Sequence, residues 1–180
     1  MSRTPSARTI TWAAFILLPV VLVGGWFWRL QRDWAFINAV RQGNISKVRA
    51  GLDSGIDPNK ANMKGATALC FATNSRKTGQ GQIIRLLLDR GENPDDGLQS
   101  AAANQPLAII RLLLDKGARP TSGLCSAVNA QRPDVVQLLI SRGANVNVTC
   151  SDTNSSVLLS AAEMQNNKII HLLKAAGAKK

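Results

Sequence analysis

Two patterns of apolar and polar positions divide this chain. From 10 to 28 it reads ITWAAFILLPVVLVGGWFW, 19 residues with no charge. Beyond 34, pairs of apolar residues sit three to four apart, in blocks that each end on glycine. The blocks are SKVRAGLDSG (46–55), QIIRLLLDRG (82–91), AIIRLLLDKG (108–117), DVVQLLISRG (134–143) and KIIHLLKAAG (168–177). That spacing places the apolar residues on one face of a helix. The glycine is the natural stop, where the chain turns left-handed. Sixteen residues before four of these glycines stand Ala39, Ala101, Ala127 and Ala161, each opening a pair of small residues. Small side chains there let two helices approach closely. In the second unit the matching residue is Ala72, nineteen before Gly91, and the extra three residues belong to SRKTGQG (75–81). The pattern predicts a short helix, a turn, a second helix and a glycine stop in each unit. Five such units fill 34–180, with limits near 34–59, 60–95, 96–121, 122–147 and 148–180.

The 10–28 run is a different object. At 1.5 Å per residue it spans roughly 28 Å, close to the ~30 Å of a bilayer core. Trp12 stands near one end, and Trp26 and Trp28 near the other, the headgroup level that amphipathic rings prefer. Phe15 and the mid-helix Pro19 complete the anchor residues, and Arg8 and Arg29 bracket it. A cleaved signal peptide has a shorter apolar region and a small-residue cleavage site. The run is therefore expected to be an uncleaved transmembrane helix, after an N-terminal tail (1–9) and before a juxtamembrane linker (29–33). Positive charge is nearly balanced across it. The arginines of the short tail favour a tail kept inside a bacterial inner membrane and a periplasmic repeat domain over a cytoplasmic one.

Composition supports the helical reading. Tyr is absent, and all four Trp fall between 12 and 34. A stack of helix pairs can close its core with aliphatic residues alone. Net charge is +11 with no run of five like charges, which suits an acidic partner or an anionic surface. Basic residues do not cluster with aromatics, and no groove-reading motif appears, which argues against nucleic acid. There are three cysteines and no CxxC, which argues against a disulfide framework and a four-ligand zinc site.

The segment GATALCFA (65–72) resembles the G-x-T-P-L-H-x-A of the ankyrin repeat, and DVVQLLISRGANVN (134–147) resembles its second helix and tail. GIDPN (55–59) and GENPD (91–95) are looser tails. The resemblance covers 34–179 and implies an all-α solenoid of about five helix-turn-helix units. Successive glycines lie 36, 26, 26 and 34 residues apart, against a family period of about 33. Only 60–66 and 148–156 are long enough to project fingers, so the binding edge is expected to be uneven. The end of the stack is expected to be polar, with Lys174 where other units carry Leu88, Leu114 and Ile140. Trp34 and Phe36 are expected to cover its start.

Cys70 and Cys125 share one register two units apart, beyond the ~7 Å Cα reach of a disulfide. They are expected to be buried thiols, and Cys150 an exposed finger residue. His171 takes a register held by Arg85, Arg111 and Gln137, a solvent-facing position without catalytic partners. No phosphate loop, nucleophile elbow or zinc-protease motif occurs, so neither an enzyme, a cofactor nor a metal is expected.

The resemblance implies a concave binding face made of first helices and fingers. Carried over by register, it comprises Arg41, Gln42, Asn74, Asn104, Asn129, Glu163 and Met164 on the helices. Lys60, Asn62, Met63 and Lys64 fall on the first finger, and Asp152 and Asn154 on the last. The expected function is a membrane-tethered protein-binding scaffold with a protein partner of unknown identity. An inhibitor or immunity protein against a toxin or secreted enzyme, and a basic membrane-surface module, are the alternatives.

Overall fold

A computed structural model of the chain describes residues 31–62, 65–150 and 154–179. The predicted anchor at 10–28 lies outside the described residues. Among those described, no helix is long and apolar enough to cross a membrane.

Helices alternate in pairs along the chain. The first, α1, covers 31–42. Then follow α2 (Ile45–Asp53), α3 (Ala68–Asn74), α4 (Gln80–Asp89), α5 (Pro94–Asn104) and α6 (Leu107–Asp115). A 3-10 turn (Pro120–Gly123) precedes α7 (Leu124–Asn129), with α8 (Pro133–Ser141), α9 (Val157–Glu163) and α10 (Asn167–Ala175) completing the stack. Odd-numbered inner helices pack on one another, as α3 on α5 and α5 on α7, while each even-numbered outer helix backs its partner. The linker expected at 29–33 is already helical from 31, and Asp33 there pairs with Lys60.

The core is one continuous aliphatic seam. The inner helices contribute Val40, Leu69, Leu98, Leu124 and Val157, and the outer ones Ile83, Leu87, Ile110, Leu113, Leu139 and Leu173, all fully buried. All five predicted stop glycines adopt positive φ, from +82° at Gly55 to +98° at Gly117. Lys174 is exposed where Leu88 and Leu114 are buried, as expected of a polar terminal face. At the other end only half the expectation holds. Phe36 is 5% exposed and packs on α2, where a side chain at Gly51 would meet its ring at 2.6 Å. Trp34 is 71% exposed and covers nothing.

Two ladders tie unit to unit. Four residues past each of the first four stop glycines, a side chain accepts the backbone N–H of the next unit's tail. Asn93 N–H donates to Asn59 (2.8 Å), Arg119 N–H to Asp95 (2.6 Å), Asn145 N–H to Thr121 (2.9 Å) and Lys179 N–H to Asn147 (2.8 Å). Outside, Arg90 pairs with Asp53, Lys116 with Asp89 and Arg142 with Asp115 at 2.7–2.9 Å. These exposed pairs contribute little singly, about 0–1 kcal/mol each.

Where the glycine spacing is 26, no finger forms. Asn93 caps α5 directly, and Pro94 takes its first turn, where a missing N–H costs nothing. The inner helices then come close. A Cβ at Gly97 would lie 2.6 Å from Leu69 Cγ, and one at Gly123 would lie 3.1 Å from Ala102 Cβ. Where spacing is longer, fingers project. In the first, Asn62 Oδ1 accepts the Ala66 N–H, and Gly65 N–H donates back to the Asn62 carbonyl. The last is a small antiparallel hairpin, β1 (Thr149–Cys150) with β2 (Ser155–Ser156), the one departure from an all-helical chain among the described residues.

The cysteine expectation is corrected here. Cys125 is not a free buried thiol, and Cys150 is not exposed. The two form a disulfide, with Cα atoms 5.6 Å apart and Cys150 only 1% exposed. Cys125 stands on α7 and Cys150 at the base of the last finger, so the finger base lands beside the inner helix of the preceding unit. Cys70 remains a thiol and donates to the Asp96 carbonyl.

Candidate partner-binding site

The first helix, the first finger and α3 enclose a cleft of about 460 Å³. Trp34, Ile37, Asn38 and Arg41 line it from α1, Phe71 from α3, and Lys60, Ala61 and Asn62 from the finger. One-turn spacing puts Trp34, Asn38 and Arg41 on the same side of α1. The Arg41 guanidinium stands over the Phe71 ring, 5.9 Å from its centroid, a cation–π arrangement that favours this orientation of the arginine. Lys60 forms an ion pair with Asp33 and so ties the finger to α1. The cleft thus offers two accessible aromatic rings, an oriented arginine and amide groups around an apolar floor. Such a site grips a protein side chain by desolvation and orients it by hydrogen bonds.

Three of the predicted residues, Arg41, Lys60 and Asn62, meet in this cleft. Met63, Lys64 and Asp152 lie outside the described residues. Gln42 is exposed one residue past the cleft-lining Arg41, and Asn154 is exposed on the last finger. Asn74 and Asn104 engage each other, with Asn104 Nδ2 donating to Asn74 Oδ1 at 3.2 Å. Met164 is exposed and accepts weakly from Gln131 at 4.0 Å, and Glu163 is exposed beside it. Both belong to the last unit, away from the cleft. Asn129 is half-buried, and its Oδ1 is enclosed without a partner, so it does not present an open acceptor.

Trp34, Asn38 and Phe71 were missed as site residues. A signal for Phe71 existed. It is the only aromatic residue after Phe36, and its register holds Asn38, Ser100, Ser126 and Ser160 elsewhere. An aromatic placed where sister units keep a small polar residue exceeds what the core takes in, and Phe71 stays only half-buried against it.

Glu92 behind the first finger has the most perturbed acid of the described residues. It is 2% exposed and accepts the Leu69 N–H at 2.6 Å. Burial pushes its carboxyl up from 4.5 to about 7, against the Leu69 and Thr67 hydrogen bonds, and the nearby Asp96 and Asp57 charges add to the rise. Sister units have Ile56, Ala118, Ala144 and Ala178 at this register. Its role is to hold the start of α3, and with it Phe71, against the second tail. No group of three or more potential metal ligands occurs among the described residues.

Residues 36–123 match a family model described as ankyrin repeats in three copies, and residues 124–151 a single ankyrin repeat. Comparison with curated proteins gives no match. The fifth unit, beyond these matches, repeats the same helix pair, glycine stop and tail ladder. With paired helices, left-handed stops and projecting fingers in register, the chain belongs to the ankyrin-repeat family.

Proposed function

We propose that this protein is a membrane-tethered interaction module whose cleft at the first unit captures a protein partner. Ankyrin repeats are generally protein–protein interaction modules, and typically not enzymes. The observation that carries the reading is the open cleft itself. Trp34 is exposed, Phe71 stands in a serine register, and Arg41 is aligned over the ring. Trp and Arg are the residues that most often dominate binding energy, at the centre of a desolvated patch.

Tethering rests on the charge-free 10–28 run with its flanking tryptophans. The Cys125–Cys150 disulfide supports placing the repeats in an oxidising compartment, because structural disulfides persist in the periplasm and outside cells and are rare in the cytosol. That agrees with the orientation favoured by the arginines of the tail. An exported binding domain suits either a scaffold at the membrane surface or an inhibitor of an incoming or secreted protein.

The test is site-specific photo-crosslinking in native cells. A photoreactive phenylalanine analogue replaces Asn38 or Asn62 in the cleft, or Arg111 on the outer face. Discrete adducts from the cleft positions alone support the reading. Adducts only from Arg111, or none from the cleft in cells that express the chain at native level, contradict it.

A further inference from the structure

The edge opposite the fingers carries a second concavity that the first cleft does not explain. It is a groove of about 900 Å³ between the inner-to-outer turns of units two, three and four. One wall is the three-residue insertion noted in the sequence, whose Arg76 and Lys77 are exposed and in no ion pair among the described residues. The opposite wall is Arg132, braced by hydrogen bonds to the Ala102 and Gln105 carbonyls and paired with Asp134 at 3.3 Å. No carboxylate is among the lining residues.

One further feature points inward. The outer helices α4 and α6 both start here, and neither has a side-chain cap or an acidic residue in its first turn. Their Gly81 and Ala108 line the groove, so uncapped N–H groups and the positive ends of two helix dipoles face one space. Gln80 is 3% exposed, with its Nε2 committed to the Val40 carbonyl at 2.9 Å. Its Oε1 is enclosed, so Gln80 ties this wall to unit one and offers the groove no acceptor. The groove therefore combines cations, N–H donors and apolar contact from Pro106 and Ile109.

We propose that this groove binds an acidic, extended segment of a protein partner. Carboxylates would meet Arg76, Lys77 and the helix N-termini. An anionic membrane surface fits less well. It is flat, and would be met as readily by Arg85 and Arg111 on the outer helices, which are exposed and in no ion pair among the described residues. The proposal is independent of the first cleft, which shares no residue with this groove.

The test uses the full chain in zwitterionic nanodiscs. The probe is a fluorescein-labelled glutamate-rich decapeptide, read by fluorescence anisotropy against its glutamine counterpart. The double variant Arg76→Gln/Lys77→Gln should weaken binding roughly five- to tenfold, as expected for two exposed charge contacts plus screening. Arg85→Gln/Arg111→Gln, with the same charge change, should stay within about twofold, as should Trp34→Ala. Circular dichroism checks that each variant folds. Equal losses in both double variants, or equal binding of the glutamine peptide, would overturn the proposal. So would anionic vesicles that displace the peptide from wild type and Arg76→Gln/Lys77→Gln alike.

Discussion

Glu92 makes the stability of the stack depend on pH in a direction opposite to most carboxylates. Its folded-state carboxyl sits at about 7 against an ordinary 4.5. Below about pH 4.5 both native and unfolded chains hold the proton, and the residue costs nothing through ionisation. Between about 4.5 and 7 the native state keeps the proton and the unfolded state does not. Stability then falls as pH rises, at about 1.4 kcal/mol per pH unit. Over that window the loss is about 3 kcal/mol, complete above pH 7. Glu92→Gln keeps an acceptor for the Leu69 N–H and cannot ionise. Urea unfolding of the full chain in detergent, followed by circular dichroism, gives the test. Relative to wild type, the variant should gain about 3 kcal/mol between pH 4.5 and 8, the other carboxylates cancelling in the difference. Parallel curves for the two proteins would refute the reasoning, since they would mean the buried carboxyl titrates alike in both states.

Other perturbations follow from single contacts. Gly97→Ala drives a Cβ to 2.6 Å from Leu69 Cγ and should destabilise by about 1–3 kcal/mol, seen as a lower urea midpoint. Gln131 holds φ of +54° at a turn where unit one uses Gly43, so Gln131→Gly should be neutral to stabilising by about 1 kcal/mol, whereas a loss would deny the strain. Reduction of Cys125–Cys150, which closes a 25-residue step, should cost about 3 kcal/mol on the loop-entropy estimate. In acid-quenched cells, alkylation before reduction should label Cys70 alone, and labelling of all three cysteines would place the repeats in a reducing compartment.

The helices and their stops were legible because both are local. A 3.6-residue period and a glycine suffice to place α4, α6, α8 and α10, and the long and short glycine spacings foretold which junctions carry fingers. What was not legible depends on where one unit meets the next. The disulfide escaped because the comparison was between Cys70 and Cys125, two units apart. The true partner is set by how the finger base at Cys150 folds against α7. Asn129 was assigned to the open face by register, yet its carboxamide oxygen is enclosed in the stack. Trp34 and Phe36 look alike in sequence, but two residues are about 200° around a helix, so one is buried and the other faces the cleft. Glu92 broke an apolar register, and only its bond to Leu69 shows why.

The measurement that bears most directly on the account is hydrogen exchange of the full chain, alone and with the partner captured at the cleft. Protection concentrated in 31–42, the first finger and α3 is the predicted result. Protection confined to the outer helices α4, α6 and α8, with none at Trp34 to Arg41, would contradict it.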